Sequence, residues 1–545
     1  MNLLDKLNFV GYVGLSHYGI GATRGGSFRP ECDERFSDIV GKGPRMPVPN
    51  RLNWWTWALL AIVPFQAAWS QERAKDAPAQ KDAPAKAAEP KKEAPPEEKA
   101  AAAEPEAELA KAETAKPATV DGTRFELTEN YRDPRVDAIL DLSVVKETLP
   151  PRPNFSANEE RQLQSMAGGS GDINPRIINR FVEAKAAELT NKKAIETMMT
   201  GEGSVNSIVR PIEKATTALL SASRASIASS NSPFMTSYAA AMIKTFPPLL
   251  EGHLISRTQA TMALASTGSL DVVPTLIKLI SDEKQPWQVK SLALLGINNS
   301  IGDGRKIVAF NQRTQWTIAV INMLRNEEDA PWFLKSQAAQ LIGNLRIISE
   351  SVPERKVHPA EVLMDFLIDK TQRPEVRLEA ARALGLLDIT SQFRPYNHQL
   401  VAVSTAEAIA DIAQRVSEIA PTDSSRAQQL VAMMAERTTP AFQGIQGVVN
   451  SGFFQQMSNS SADAKTQDSV KALFDKIKGV INAGSAYIRA RGDLVIARRT
   501  DLQSQIADLR KAIEENQPKN RTLVTGGKSY EAGASASDEV AQGAR

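Results

Sequence analysis

Between residues 235 and 390, apolar side chains recur at helical spacing in short runs separated by polar loops, and the runs come in pairs. The first run of a pair is apolar along a broad face: LDVVPTLIKLIS from Leu270, TQWTIAVINMLR from Thr314 and PAEVLMDFLIDK from Pro359. The second runs align as SRTQATMALAST from Ser256, VKSLALLGINNS from Val289, LKSQAAQLIGNL from Leu334 and VRLEAARALGLL from Val376. In each second run a base (Arg257, Lys290, Lys335, Arg377) is followed three positions on by alanine (Ala260, Ala293, Ala338, Ala380). Seven positions on stands an aliphatic residue (Leu264, Ile297, Ile342, Leu384). Offsets of three and seven fall on one helical face, so each second helix offers a narrow small-residue stripe that a neighbour can approach closely. Pro286, Pro331 and Pro374 precede the bases, where proline opens a helix without removing an intrahelical hydrogen bond. The pattern predicts stacked helical hairpins.

The aligned bases are 33, 45 and 42 residues apart, close to the roughly 40 to 47 of HEAT and armadillo units. The segment resembles the HEAT-repeat family over some 150 residues, most sharply in PEVRLEAARALGLL from Pro374, and least in the first unit, whose loop has no proline. The resemblance implies an all-α fold, an α-solenoid of HEAT-like hairpins. It also implies a ladder of acids and bases between adjacent units. Asp282, Glu327 and Asp369 each lie eight positions before Lys290, Lys335 and Arg377, and these six residues are expected to be structural, fixing the register of the stack. Two Pro-Trp pairs mark the loops, and Trp287 and Trp332 are the candidate partner-binding residues: exposed loop tryptophans would be strong anchors, whereas rings packed over their own hairpins would not.

The flanks are helical by the same reading. Residues 121–234 form a leading region in which TENYRDPRVDAILDLSVVKETLPPRPNFS has no clear period and RFVEAKAAELTNKK reads as a helix. GGSG at Gly168–Gly171 lacks the lysine and flanking strand of a phosphate-binding loop and reads as a linker. Residues 391–460 continue as degenerate hairpins capping the stack, as repeat arrays require. Residues 461–516 form a long helix or hairpin in which Leu502, Ile506, Leu509 and Ile513 are spaced four, three, four. That is about two heptads, which favours packing against the same chain over dimerisation. Arg489, Arg491, Arg498 and Arg499 form a basic cluster diluted by Asp493 and Asp501, either a solvated face or a site for anionic lipid or polymer. The last segment, 517–545, is expected to be disordered.

Residues 51–70, RLNWWTWALLAIVPFQAAWS, join a basic flank, an apolar run and small residues at Ala68 and Ser70. The pattern predicts a signal peptide over 46–70, with translation starting at Met46, or an uncleaved anchor through residues 52–69. Residues 1–45 then form a non-native or cytosolic extension. Residues 71–120 are almost entirely Ala, Lys, Glu and Pro. With nothing to bury, they cannot offset their conformational entropy, so a disordered linker about 40 Å in span is expected.

Composition narrows the function. A net charge of +2 argues against nucleic acid as the general partner. Cys32 is the single cysteine, and His17, His253, His358 and His398 are scattered, so no cysteine-rich metal site is expected and no cofactor is implied. No G-x-S-x-G or HExxH occurs. The sequence therefore points to a non-enzymatic, protein-binding scaffold acting outside the cytosol, periplasmic or secreted. A structural tether of the cell envelope is the alternative, and an enzyme such as a HEAT-like lyase is less favoured.

Overall fold

A computed structural model describes residues 133–145, 155–200, 210–389 and 396–530, a few loop positions excepted. The predicted signal peptide, the 71–120 linker and residues 1–45 and 531–545 lie outside the described residues.

The described residues are helical apart from one short two-stranded hairpin. The leading flank comprises α1 (Pro134–Ile139), α2 (Ala157–Ala167), α3 (Pro175–Leu189), α4 (Lys192–Thr200), α5 (Arg210–Ala228) and α6 (Ser232–Thr245). Local signals start several of these helices. Asp133, Asn174 and Asn231 cap helices that have proline in their first turn, and Ser156 and Glu159 form a reciprocal capping box on α2. Phe181, Phe234 and Tyr238 form the aromatic centre of this flank, the last two stacked at 5.4 Å. The Tyr238 hydroxyl donates to the Leu219 carbonyl at 3.0 Å, which satisfies the one polar atom of a fully buried ring.

The predicted hairpins follow. After the short α7 (Pro247–Leu250) and α8 (Leu254–Ser266) come α9 (Val273–Ser281) with α10 (Trp287–Ile301), then α11 (Phe310–Asn326) with α12 (Trp332–Leu345). The last of the set pairs α13 (Pro359–Ile368) with α14 (Pro374–Leu386). Second helices pack on one another in the order α8, α10, α12, α14, and first helices in the order α9, α11, α13. This two-layer arrangement is a solenoid. A two-stranded antiparallel hairpin, Glu350–Val352 with Arg355–Val357, interrupts the loop between α12 and α13. The alanines of the aligned stripe and the aliphatic residues four positions beyond them are all fully buried.

Close approach is enforced by glycines of the second helices. A Cβ on Gly343 would lie 2.6 Å from the Ala383 Cα, and one on Gly296 would lie 2.7 Å from the Ala265 Cβ. The stack then runs past residue 390. α15 (His398–Ile419) packs beside α13, and α16 (Ser424–Gln443) packs on α14 as a further second helix. There a Cβ on Gly385 would meet the Ala441 carbonyl oxygen at 2.3 Å.

After α17 (Phe453–Ser460), the 461–516 region is a hairpin: α18 (Ala464–Arg489) and α19 (Leu494–Glu515) pack on each other and on α15. Leu502, Ile506, Leu509 and Ile513 are all buried in this interface, so the heptad-like face is used within the chain. Each such side chain contributes about 1.5–3 kcal/mol by leaving water. The expectation of a disordered tail from 517 needs correcting for residues 517–530. The Asn397 amide donates to the Leu523 carbonyl at 3.0 Å, and the Lys528 amide donates to Glu361 Oε1 at 2.7 Å. Leu523 and Tyr530 are buried. Composition hid this because a few backbone bonds and two apolar anchors fix the strap.

At the start of α15 the His398 ring is buried against Tyr396, centroids 4.9 Å apart, and its Nε2 has no hydrogen-bond partner among the described residues. Burial lowers the imidazole to about 4. Below about pH 6.5 the unfolded chain takes up a proton that the folded chain refuses, so stability falls from there to about pH 4 and then levels. Between about pH 7 and pH 5 this amounts to about 2 kcal/mol. Urea titrations at the two pH values should show a loss smaller by that amount in His398→Gln; an equal loss in both proteins would remove His398 as the cause.

Candidate partner-binding surface

The two tryptophans that the sequence offers as exposed anchors are not exposed. Each is the first residue of a second helix, and they retain 8% and 7% of their accessible surface. The Trp287 indole N–H donates to Glu327 Oε2 at 2.7 Å, and the Arg135 guanidinium carbon lies 5.7 Å from the ring centroid. Over Trp332 the Arg373 guanidinium carbon lies at 4.6 Å. Both rings close the joint between hairpins, so Trp287 and Trp332 are corrected from partner anchors to packing residues. The reason is positional: at the first turn of a second helix, a large ring points back over the loop it has just left.

The six ladder residues are placed as follows. Lys290 pairs with Glu327 of the next hairpin at 2.5 Å, Lys290 being 1% exposed. Arg377 pairs with Asp411 of α15 at 3.3 Å, and its Nε donates to the Leu367 carbonyl. Asp282 and Asp369 do something else. Each follows a first helix and accepts from the backbone amide two residues on, Lys284 at 2.9 Å and Thr371 at 2.9 Å, and from the side chain of Gln285 or Gln372. They are turn residues, short side chains folding back on their own loop. Lys335 is half-buried on α12.

Glu327 gathers more than one cation. Arg135, from the leading region that had no readable period, reaches it at 2.5 and 3.0 Å and is held in a fork with Asp133 at 2.8 and 2.9 Å. Asp133 in turn accepts from the Trp287 amide at 2.7 Å. Burial raises the Glu327 carboxyl, but hydrogen bonds from Arg135, Lys290 and Trp287 outweigh it and hold the group below the usual carboxylate range. His253 ties the same strap down: its Nδ1 accepts from the Ile255 amide at 3.2 Å, which leaves Nε2 to donate to the Leu140 carbonyl at 3.1 Å. Sequence reading missed Asp133 and Arg135 because the partner is 192 positions away; the Asp-Pro cap was the available signal.

A different surface emerges when the second helices are compared position by position. On α10, Gln288, Ser291, Leu292, Leu295 and Asn299 are half-buried and share one face; on α12, Phe333, Ser336, Gln337 and Gln340 do the same. The equivalent stripe on α14 includes Glu375, Glu379 and Arg382, all buried beneath α16, where Arg426 reaches Glu375 at 2.6 Å and Arg437 reaches Glu379 at 2.9 Å. On α8 it includes Gln259 and Ser266, which meet Thr216 and Ser223 of α5 at 2.8 and 3.1 Å. Both ends of the inner face are thus covered by the chain's own helices, while no such helix packs over the two central stripes among the described elements. The central stripes carry no charge. Ser291 donates to Gln337 across them at 2.7 Å, and the buried Gln288 Oε1 has no hydrogen-bond partner among the described residues.

Elsewhere the chemistry is sparse. A cavity of about 480 Å³ between α15, α19 and the tail strap is lined by Lys370, Ser404, Glu407, Asp411, Arg510 and Arg521 among others. A second, of about 360 Å³, lies between α9 and α11. No group of His, Cys, Asp and Glu among the described residues could hold a metal ion. No protein-family model, curated protein or solved structure matches the chain.

Proposed function

We propose that this chain is a non-enzymatic scaffold of the HEAT type that holds another protein on the inner face of its two central hairpins, outside the cytosol. The observation that carries the reading is the contrast along one face. Where flanking helices cover it, the stripe is charged and paired (Glu375, Glu379, Arg382) or hydrogen-bonded (Gln259); where nothing described covers it, it is uncharged, with Leu292, Leu295 and Phe333 among amides and hydroxyls. Depletion of charge with retained aromatic and amide groups is the composition of an interface core. Unit length, the alanine stripe and the Lys290–Glu327 rung support the HEAT assignment. The apolar run at 52–69 and the spacer at 71–120 support export or anchoring of the folded part. No helix among the described residues is long and apolar enough to cross a membrane.

The test is site-specific photo-crosslinking in the native cell, with benzoyl-phenylalanine at Gln337 or, on the outer layer, at Gln315. One protein captured from Gln337 and not from Gln315 is expected. Purified, it should bind roughly a hundredfold more weakly when Phe333→Glu places a charge in the stripe, about the cost of a hot-spot residue. Equal capture from both positions, or affinity indifferent to Phe333→Glu, would sink the reading.

A further inference from the structure

The tip of the α18–α19 hairpin carries apolar surface that no described residue covers. Leu494 and Ile496 are 61% and 76% exposed, two of the four large apolar side chains that stand out into solvent among the described residues. Ala497 beside them is exposed too, and only Val495 leans on the core. Successive helical positions are about 100° apart, so Leu494, Ile496 and Ala497 cover the whole outward side of the first turn of α19. Gly492, with φ of +57°, turns the chain there, and a Cβ on it would meet nothing within 4 Å. Arg489 and Arg491 precede this apolar turn and Arg498 and Arg499 follow it, all exposed. Against them stand Asp493 and Asp501, the latter 3.8 Å from Arg498. The arginines therefore ring the apolar turn with an excess of positive charge.

We propose that this tip docks on an anionic membrane surface, with Leu494 and Ile496 entering the headgroup–acyl boundary and the four arginines lying among lipid phosphates. A lipid surface fits better than a protein partner because the exposed apolar atoms of Leu494, Ile496 and Ala497 spread over the outward side of one helix turn at the hairpin tip. They form no groove and offer no row of hydrogen-bonding groups that would fix a register. An apolar wedge with a basic surround is the combination that gives interfacial affinity dependent on anionic lipid.

The experiment uses the full chain with Cys32→Ser and an environment-sensitive fluorophore at Ile496→Cys, and a second labelled chain with Gln455→Cys on another exposed helix as reference. A local reporter is needed because residues 52–69 can bind vesicles on their own account. With vesicles of phosphatidylcholine and phosphatidylglycerol, the reporter at 496 should shift to the blue and the one at 455 should not. Phosphatidylcholine alone should give little shift, and raised salt should reverse it. Arg498→Gln with Arg499→Gln should weaken partitioning roughly tenfold, since each base near such a surface contributes about 1 kcal/mol. An unshifted 496 reporter on vesicles that capture the chain overturns the proposal. So does a shift that appears on concentrating the protein without lipid, which would make the tip a contact between copies, or one produced only by an acidic protein.

Discussion

Gly385→Ala should cost about 3 kcal/mol or more, the opposite sign from what helix propensity predicts. Inside a helix alanine is favoured over glycine by about 1 kcal/mol, and in the last turn of α14, where Gly385 stands, the same preference acts more weakly. At this position, however, the new methyl would sit 2.3 Å from the Ala441 carbonyl oxygen and 2.6 Å from its Cα, and those are backbone atoms of α16 that cannot rotate away. Overpacking of this kind costs about 1–3 kcal/mol and more when backbone must move. The Gly385 carbonyl also accepts from the Gly452 amide at 2.6 Å, so displacing α14 disturbs a second contact. Gly479→Ala on α18 is the control. Its methyl would meet the far end of the Gln505 side chain, which can swing aside, so the propensity gain should survive as a small stabilisation. Urea midpoints of the two variants should move in opposite directions; parallel movement would show that α14 and α16 are not in van der Waals contact.

Glu327→Ala should be the second large loss, about 3–5 kcal/mol, because it strands a cation rather than removing a contact. Lys290 is buried and its ammonium has Glu327 2.5 Å away; Arg135 and the Trp287 indole lose the same acceptor. If stranding is the cause, Lys290→Met in the Glu327→Ala background should recover a good part of the loss. A double-mutant cycle on urea stability measures this directly, and additive losses would mean that the two side chains are not coupled. The carboxyl is held below its ordinary value in the folded state, so its stabilising contribution is present above the unfolded value of about 4.5. It is lost as the pH falls through the depressed folded value. Its acid transition should therefore lie below the one that His398 produces.

The same cluster explains how two distant segments become one unit. Asp133 and Arg135 are ordinary surface residues by composition, yet the fork they form is shared with Glu327, and the strap they begin is pinned again at Leu140 by His253. Arg135→Ala, read by hydrogen exchange of residues 133–145, would show whether the cluster holds this strap as well as the stack. The inner stripe depends on the two flanks in a related way. Among the described residues it is open only where α5 and α16 stop covering it, so the flanks set its limits while contributing no residue to it.

The amino-acid chain alone makes the repeat helices legible, with their pairing into hairpins and the buried face of each second helix. Those properties follow from periodicity, capping and proline placement, which act over a few residues. It also identified Lys290 and Glu327 as charged residues with a structural role, because the repeat brings the same types back at the same offset. Which partner each charge takes depends instead on how the hairpins stack. Glu327 turns to Lys290 in the hairpin before it, whereas Asp282 and Asp369 satisfy their own loops, since eight positions in sequence do not measure a distance across two hairpins. The tryptophans divide along the same line: sequence marked the Pro-Trp pairs at the hairpin loops, but could not show that Trp287 and Trp332 open the second helices beneath arginines from another hairpin or from a strap before the stack. Which second helices keep an open face was likewise invisible, because covering is a property of α5 and α16, and nothing in the local pattern of α10 or α12 encodes what fails to pack on them.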